Sequence, residues 1–164
     1  MEKIDLILTG VSAICTFLSG FGAYKSVRYF RKSKQLTIYA KTNVAYTEIQ
    51  TIKSTMIELL KLSNKKQGRG TNLSQQIGKN GELIKRCIEN IRDHLPVEKC
   101  AEIQELLDHE KTKVEEYIDS FITGNVLIEE KLMIDDDFNN CQQVFGQIQT
   151  SLKKYLEELA ETLK

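Results

Sequence analysis

Apolar positions along the chain follow two regimes. From Leu6 to Tyr24 there are 19 residues without a charge. Beyond them, apolar residues recur at helical spacing almost to the end. A run of about 20 mostly apolar residues, rising about 1.5 Å each, matches the roughly 30 Å hydrocarbon core of a bilayer. The first regime therefore predicts a transmembrane helix. The second predicts amphipathic helices of a packed domain.

From Val27 to Ser63 no Gly or Pro interrupts the pattern, and Ile38, Val44, Ile49, Ile52, Met56, Leu59, Leu60 and Leu62 mark one helix. It is expected to continue directly from the span. The stretch SNKKQGRGTN, Ser63 to Asn72, reads as a loop broken by Gly68 and Gly70. A second helix covers Leu73 to Leu95, weakened by Gly78 and Gly81, with Leu83, Ile84, Cys87, Ile88 and Ile91 on its stronger face. Pro96 ends it and opens the next, since Pro is accepted in a first helical turn. A third helix is predicted from Val97 to Ile122, and Gly124-Asn125 breaks it. After a short apolar piece, Val126 to Ile134, the triplet Asp135-Asp136-Asp137 suits a helix N-terminus. The last helix carries Phe138, Cys141, Val144, Ile148, Leu152, Tyr155, Leu156 and Leu159.

No alternating strand pattern is visible. The predicted fold is all-α: one N-terminal transmembrane helix over residues 1–26, followed by a cytoplasmic four-helix bundle over residues 27–164.

Lys plus Arg equals Asp plus Glu at 23 each, so no global field points to nucleic acid. The local balance differs. Six basic residues and no acid lie between Lys25 and Lys41, while Glu98 to Asp137 is acid-rich. Lys25, Arg28, Arg31, Lys32 and Lys34 follow the apolar run, and by the positive-inside rule they orient it with a short N-terminus outside and the bundle in the cytoplasm. The predicted location is thus the inner (plasma) membrane, with the lipid bilayer as a partner. Tyr24, Tyr29 and Phe30 occupy the place of interfacial aromatics. A cleaved signal fits poorly, because the start is Met-Glu-Lys-Ile-Asp and Phe21-Gly22-Ala23 makes a poor cleavage site.

On a helical wheel at about 100° per residue, Thr9, Ser12, Ala13, Thr16, Ser19, Gly20 and Ala23 share a stripe about 120° wide. Leu6, Ile7, Val11, Ile14, Phe17, Leu18 and Phe21 cover the other side. Thr9, Ala13, Thr16, Gly20 and Ala23 are spaced 4, 3, 4 and 3, a heptad-like seam. Small residues on one face let helices approach closely, which predicts a homo-oligomer. Hydroxyls on that face also suit a wet lumen, the pore-lining reading of the same residues.

Candidate chemistry is sparse. Cys15, Cys87, Cys100 and Cys141 form no CxxC pair and read as free thiols. DDDFNN lacks the Gly and the closing Glu of a calcium loop. KKQGRG, Lys65 to Gly70, lacks the Lys-Ser/Thr ending of a P-loop. Arg and His cluster in RCIENIRDHLP, Arg86 to Pro96. Arg86, Arg92 and His94 are the candidate catalytic set, since a metal-independent RNase can use an Arg for phosphate charge and a His as acid or base. Cations at a helix C-terminus are favourable without any chemistry. No metal site, no cofactor and no conventional enzyme are expected.

One N-terminal span, a small helical bundle and an Arg/His cluster together resemble the membrane-anchored, HEPN-like accessory proteins of RNA-targeting type VI CRISPR systems. The likeness covers the whole chain as architecture. HEPN nucleases carry Arg, about four to six residues, then His; here seven residues separate Arg86 from His94 and one separates Arg92 from it. The resemblance implies an oligomeric membrane pore that strengthens anti-phage defence. It also implies an RNA-guided nuclease complex or RNA as partner, and no DNA. The alternatives are a non-pore membrane-anchored scaffold or signalling adaptor, and a divergent RNase using Arg86 or Arg92 with His94.

Overall fold

A computed structural model describes residues 2–63, 72–108, 113–128, 131–132 and 134–163. Side chains are described from Ser19 onward within these ranges, together with Thr16, leaving out 127, 128, 131 and 132. The chain divides into two units, residues 1–37 and 38–162.

Among the described residues, five helices make up the fold: α1 (Glu2–Ser63), α2 (Leu73–His94), α3 (Val97–Leu107), α4 (Val114–Thr123) and α5 (Asp136–Thr162). The all-α expectation holds at this level. Between α4 and α5, β1 (Leu127–Ile128) pairs antiparallel with β2 (Lys131–Leu132), in the register Leu127 with Leu132 and Ile128 with Lys131. The expectation of no strand is corrected here. Strands of two residues are too short to show the period-two alternation that reveals a strand.

The predicted span is also corrected. Among the described residues, no helix is long and apolar enough to cross a membrane. The inner-membrane location and the transmembrane helix of the expected fold fall with that finding. Side chains of the earlier part of the apolar run, including Thr9, Ser12 and Ala13, lie outside the described residues.

The core of the second unit is built from α1's C-terminal half and the other four helices. Ala45, Ile49, Ile52, Met56 and Leu59 are buried, spaced 4, 3, 4 and 3 along α1. Val44 and Leu60 of the predicted apolar set lie off this stripe and are 41% and 37% exposed. Ile84, Cys87, Ile88 and Ile91 of α2, Ile103 and Leu107 of α3, Ile118 and Phe121 of α4, and Phe138, Cys141, Phe145 and Ile148 of α5 are buried with the α1 stripe. Phe121 meets Phe138 edge-on, with ring centroids 6.5 Å apart.

Caps fix several helix ends. Asn72 Oδ1 accepts from the Gln75 amide at 3.1 Å and starts α2. Asp135 Oδ1 accepts from the Phe138 amide at 2.9 Å and starts α5, where the acidic triplet places it. Gly124, at φ 78°, ends α4 in the left-handed conformation.

The predicted third helix is two helices. α3 closes with the Asp108 amide donating to the Gln104 carbonyl at 2.9 Å. Residues 109–112 lie outside the described residues, and α4 begins at Val114. Leu107 and Val114 are seven residues apart, so their heptad spacing hides the break. The loop predicted at Ser63 to Asn72, with KKQGRG inside it, lies almost wholly outside the described residues.

Candidate functional site

Arg86, Arg92 and His94 all lie on α2, the latter two in its last turn. The helix ends there because Leu95 precedes Pro96 and is extended at φ −96° and ψ 150°. At about 100° per residue, Arg92 and His94 point about 160° apart, and Arg86 lies about 80° from His94 and 120° from Arg92. The three do not converge on one volume.

Each is also occupied or displaced. Arg92 Nε donates to Gln104 Oε1 at 2.9 Å, and its Nη2 pairs with Glu115. Arg92 thereby ties α2 to α3 and α4. His94 Nδ1 donates to the Asn90 carbonyl at 2.7 Å, one turn back in its own helix. Arg86 is exposed. A general acid or base needs its partner within hydrogen-bond reach of a shared reacting group. These side chains cap, brace and solvate instead.

A small polar network that the sequence reading did not single out lies between the same helix and α1. Cys87 is 2% exposed and lies near Glu48 of α1. Asn90 Nδ2 donates to Glu48 Oε1 at 3.2 Å. Burial, then the Glu48 carboxylate, push the Cys87 thiol up to about 12. Burial likewise pushes Cys141 up to about 12, with Asp137 and Asp135 adding to it. Both thiols are held protonated and are poor nucleophiles. The sequence signal for this network is weak: one Glu in the apolar heptad of α1.

An open groove of about 860 Å³ lies between α3 and α5. Lys99 Nζ lies 5.4 Å over the Tyr155 ring and 2.6 Å from Glu102 Oε2. Ser151 Oγ donates to Glu102 Oε1 at 2.6 Å. The bonds from Lys99 and Ser151 hold the Glu102 carboxyl below the usual range. Charge in the groove is thus matched internally. Among the described residues, no group of three His, Cys, Asp or Glu could hold a metal ion.

The most conspicuous surface lies on the first unit. Ten large hydrophobic residues are exposed among those described, and six of them fall between Phe21 and Leu36: Phe21, Tyr24, Val27, Tyr29, Phe30 and Leu36. Phe21, Tyr24, Tyr29 and Phe30 are 58%, 65%, 70% and 71% exposed. Interleaved with them, Lys25, Arg28, Arg31, Lys32 and Lys34 are all exposed. Lys25 Nζ lies 4.8 Å over the Phe21 ring. Of the predicted small-residue stripe, Thr16, Ser19, Gly20 and Ala23 are exposed, and a Cβ on Gly20 would have no atom within 4 Å. Set beside known proteins, the chain matches no family model, no curated protein and no solved structure.

Proposed function

We propose that this protein is a non-catalytic helical scaffold that self-associates through the first part of α1, with the second unit as a rigid docking body. One observation carries the reading: six large apolar side chains stand exposed within 16 residues of a single helix. Soluble monomers rarely expose apolar surface so densely, and such surface marks an interaction site. Single helices also gain most of their stability from tertiary packing. Phe21 and Phe30 face opposite ways at about 100° per residue, so copies packed on both sides of this helix would supply that packing. The exposed Gly20 and Ala23 would let two helix backbones approach closely. An RNase reading is not favoured, because Arg92 and His94 face apart and Arg92 is held by Gln104 and Glu115.

Sedimentation equilibrium of the full chain over a wide concentration range tests this. A mass that rises with concentration, and that Phe21→Ser with Phe30→Ser returns to one copy, is the expected result. A wild-type chain that stays at one copy throughout overturns the proposal.

A further inference from the structure

Three exposed cations share one side of α1: Lys25, Arg28 and Lys32. Spaced three and four residues apart, they fall within about 60° of one another at about 100° per residue. None takes part in an ion pair among the described residues. Like charges at these spacings repel and weaken their own helix. A run of this kind is stabilised when a counter-charged surface arrives.

The second unit carries the reverse pattern. Glu98, Glu102 and Glu105 are exposed on α3, spaced four and three, and also fall within about 60°; Glu98 and Glu105 form no ion pair among the described residues, whereas Glu102 is already bonded to Lys99 and Ser151. Read antiparallel, the two spacings coincide. Lys25 comes opposite Glu105, Arg28 opposite Glu102 and Lys32 opposite Glu98, each stripe spanning about 10 Å. The bulk charge is arranged in the same sense. The first 97 residues carry 16 basic and 7 acidic side chains, and the last 67 carry 7 and 16. Each copy therefore holds the counter-charge that another copy needs.

We infer that the basic stripe of α1 docks antiparallel on the acidic stripe of α3 in a second copy of this chain. The inference rests on the proposed self-association and gives an ionic register to its Phe21 side, which carries Lys25, Arg28 and Lys32. Charge complementarity selects a second copy over a polyanion. A nucleic-acid-binding domain is usually strongly basic, whereas this chain is neutral and its second part would repel phosphate. The two surfaces differ, so the contact is heterologous. It closes into a ring when the geometry allows and runs on as a chain of copies when it does not.

Charge reversal tests the register. Lys25→Glu/Arg28→Glu/Lys32→Glu is one variant. Glu98→Lys/Glu105→Lys is the other, leaving Glu102 and its bond from Ser151 intact. Each is checked for its melting transition and measured by sedimentation at about 50 and 500 mM salt. Wild-type association should weaken with salt. Each variant alone should associate about tenfold or more weakly, since attraction becomes repulsion. An equal mixture of the two should recover association. Wild-type self-association with both variants unchanged, or a mixture that gains nothing, overturns the ionic register and leaves self-association standing. A wild-type chain that stays single overturns both. Binding of a labelled single-stranded oligouridylate or of anionic vesicles through Lys25, Arg28 and Lys32, with no mixing effect between variants, also overturns it.

Discussion

Gly81 of α2 and Phe121 of α4 approach so closely that a Cβ on Gly81 would sit 3.0 Å from the Phe121 Cβ. The Ile122 amide nitrogen would lie only 3.3 Å away, so the clash includes backbone. Gly81→Ala gains about 1 kcal/mol of helix propensity but overpacks the α2–α4 contact. The expected net effect is a loss of about 1–2 kcal/mol. Urea denaturation checks it, and a stabilised Gly81→Ala protein would contradict the packing.

Gly146 gives the opposite expectation. It lies inside α5, and a Cβ there would meet nothing within 4 Å. Gly146→Ala should therefore add about 0.5–1 kcal/mol, the usual cost of a helical Gly. A destabilised variant in the same denaturation assay would show that Gly146 is needed for something outside the isolated fold.

Arg92 is read as a brace between helices. Arg92→Ala removes its bonds to Gln104 and Glu115 and should cost about 1 kcal/mol, as expected for partly exposed polar contacts. His94→Ala, losing one bond to its own helix, should cost less. Chevron or equilibrium unfolding would measure both. An Arg92→Ala protein as stable as wild type would remove the brace.

These predictions show what was legible. The heptad of α1, the Pro96 break and the Asp135 cap announce themselves because periodicity and capping are local. The α3–α4 break did not, because Leu107 and Val114 keep the heptad across it. The β1–β2 pair did not, because a two-residue strand has no period to read. Gly78 and Gly81 looked like weak points in α2; Gly81 instead marks a close approach to Phe121, a tertiary fact. The Arg/His cluster was visible as composition. Its divergence was not, since Arg92 and His94 are only two positions apart in sequence and face nearly opposite ways. The apolar run before Lys25 was the strongest signal of all, yet no described helix is long and apolar enough to span.

Alkaline pH should destabilise the fold. Cys87 and Cys141 are raised in the folded state, so the unfolded chain releases their protons first. Above about pH 8.5 the unfolded state binds fewer protons, and stability falls as pH rises, by at most about 1.4 kcal/mol per unit for each thiol. Tyr117 is also raised, by burial and then by its bond to Asp135, and joins at higher pH. Denaturation midpoints between pH 8 and 9.5 should decline, and the slope should be shallower in Cys141→Ala. Equal slopes would contradict the protonated buried thiol.

Self-association through the first part of α1 is the central claim, and the mass of the full chain in solution tests it most directly. One copy is 18.8 kDa. Sedimentation equilibrium should give a mass that climbs above that value with concentration, falls back at high salt, and stays at one copy when Phe21 and Phe30 are both changed to Ser. A mass fixed at 18.8 kDa across the concentration range, with α1 helical by circular dichroism, would contradict the account.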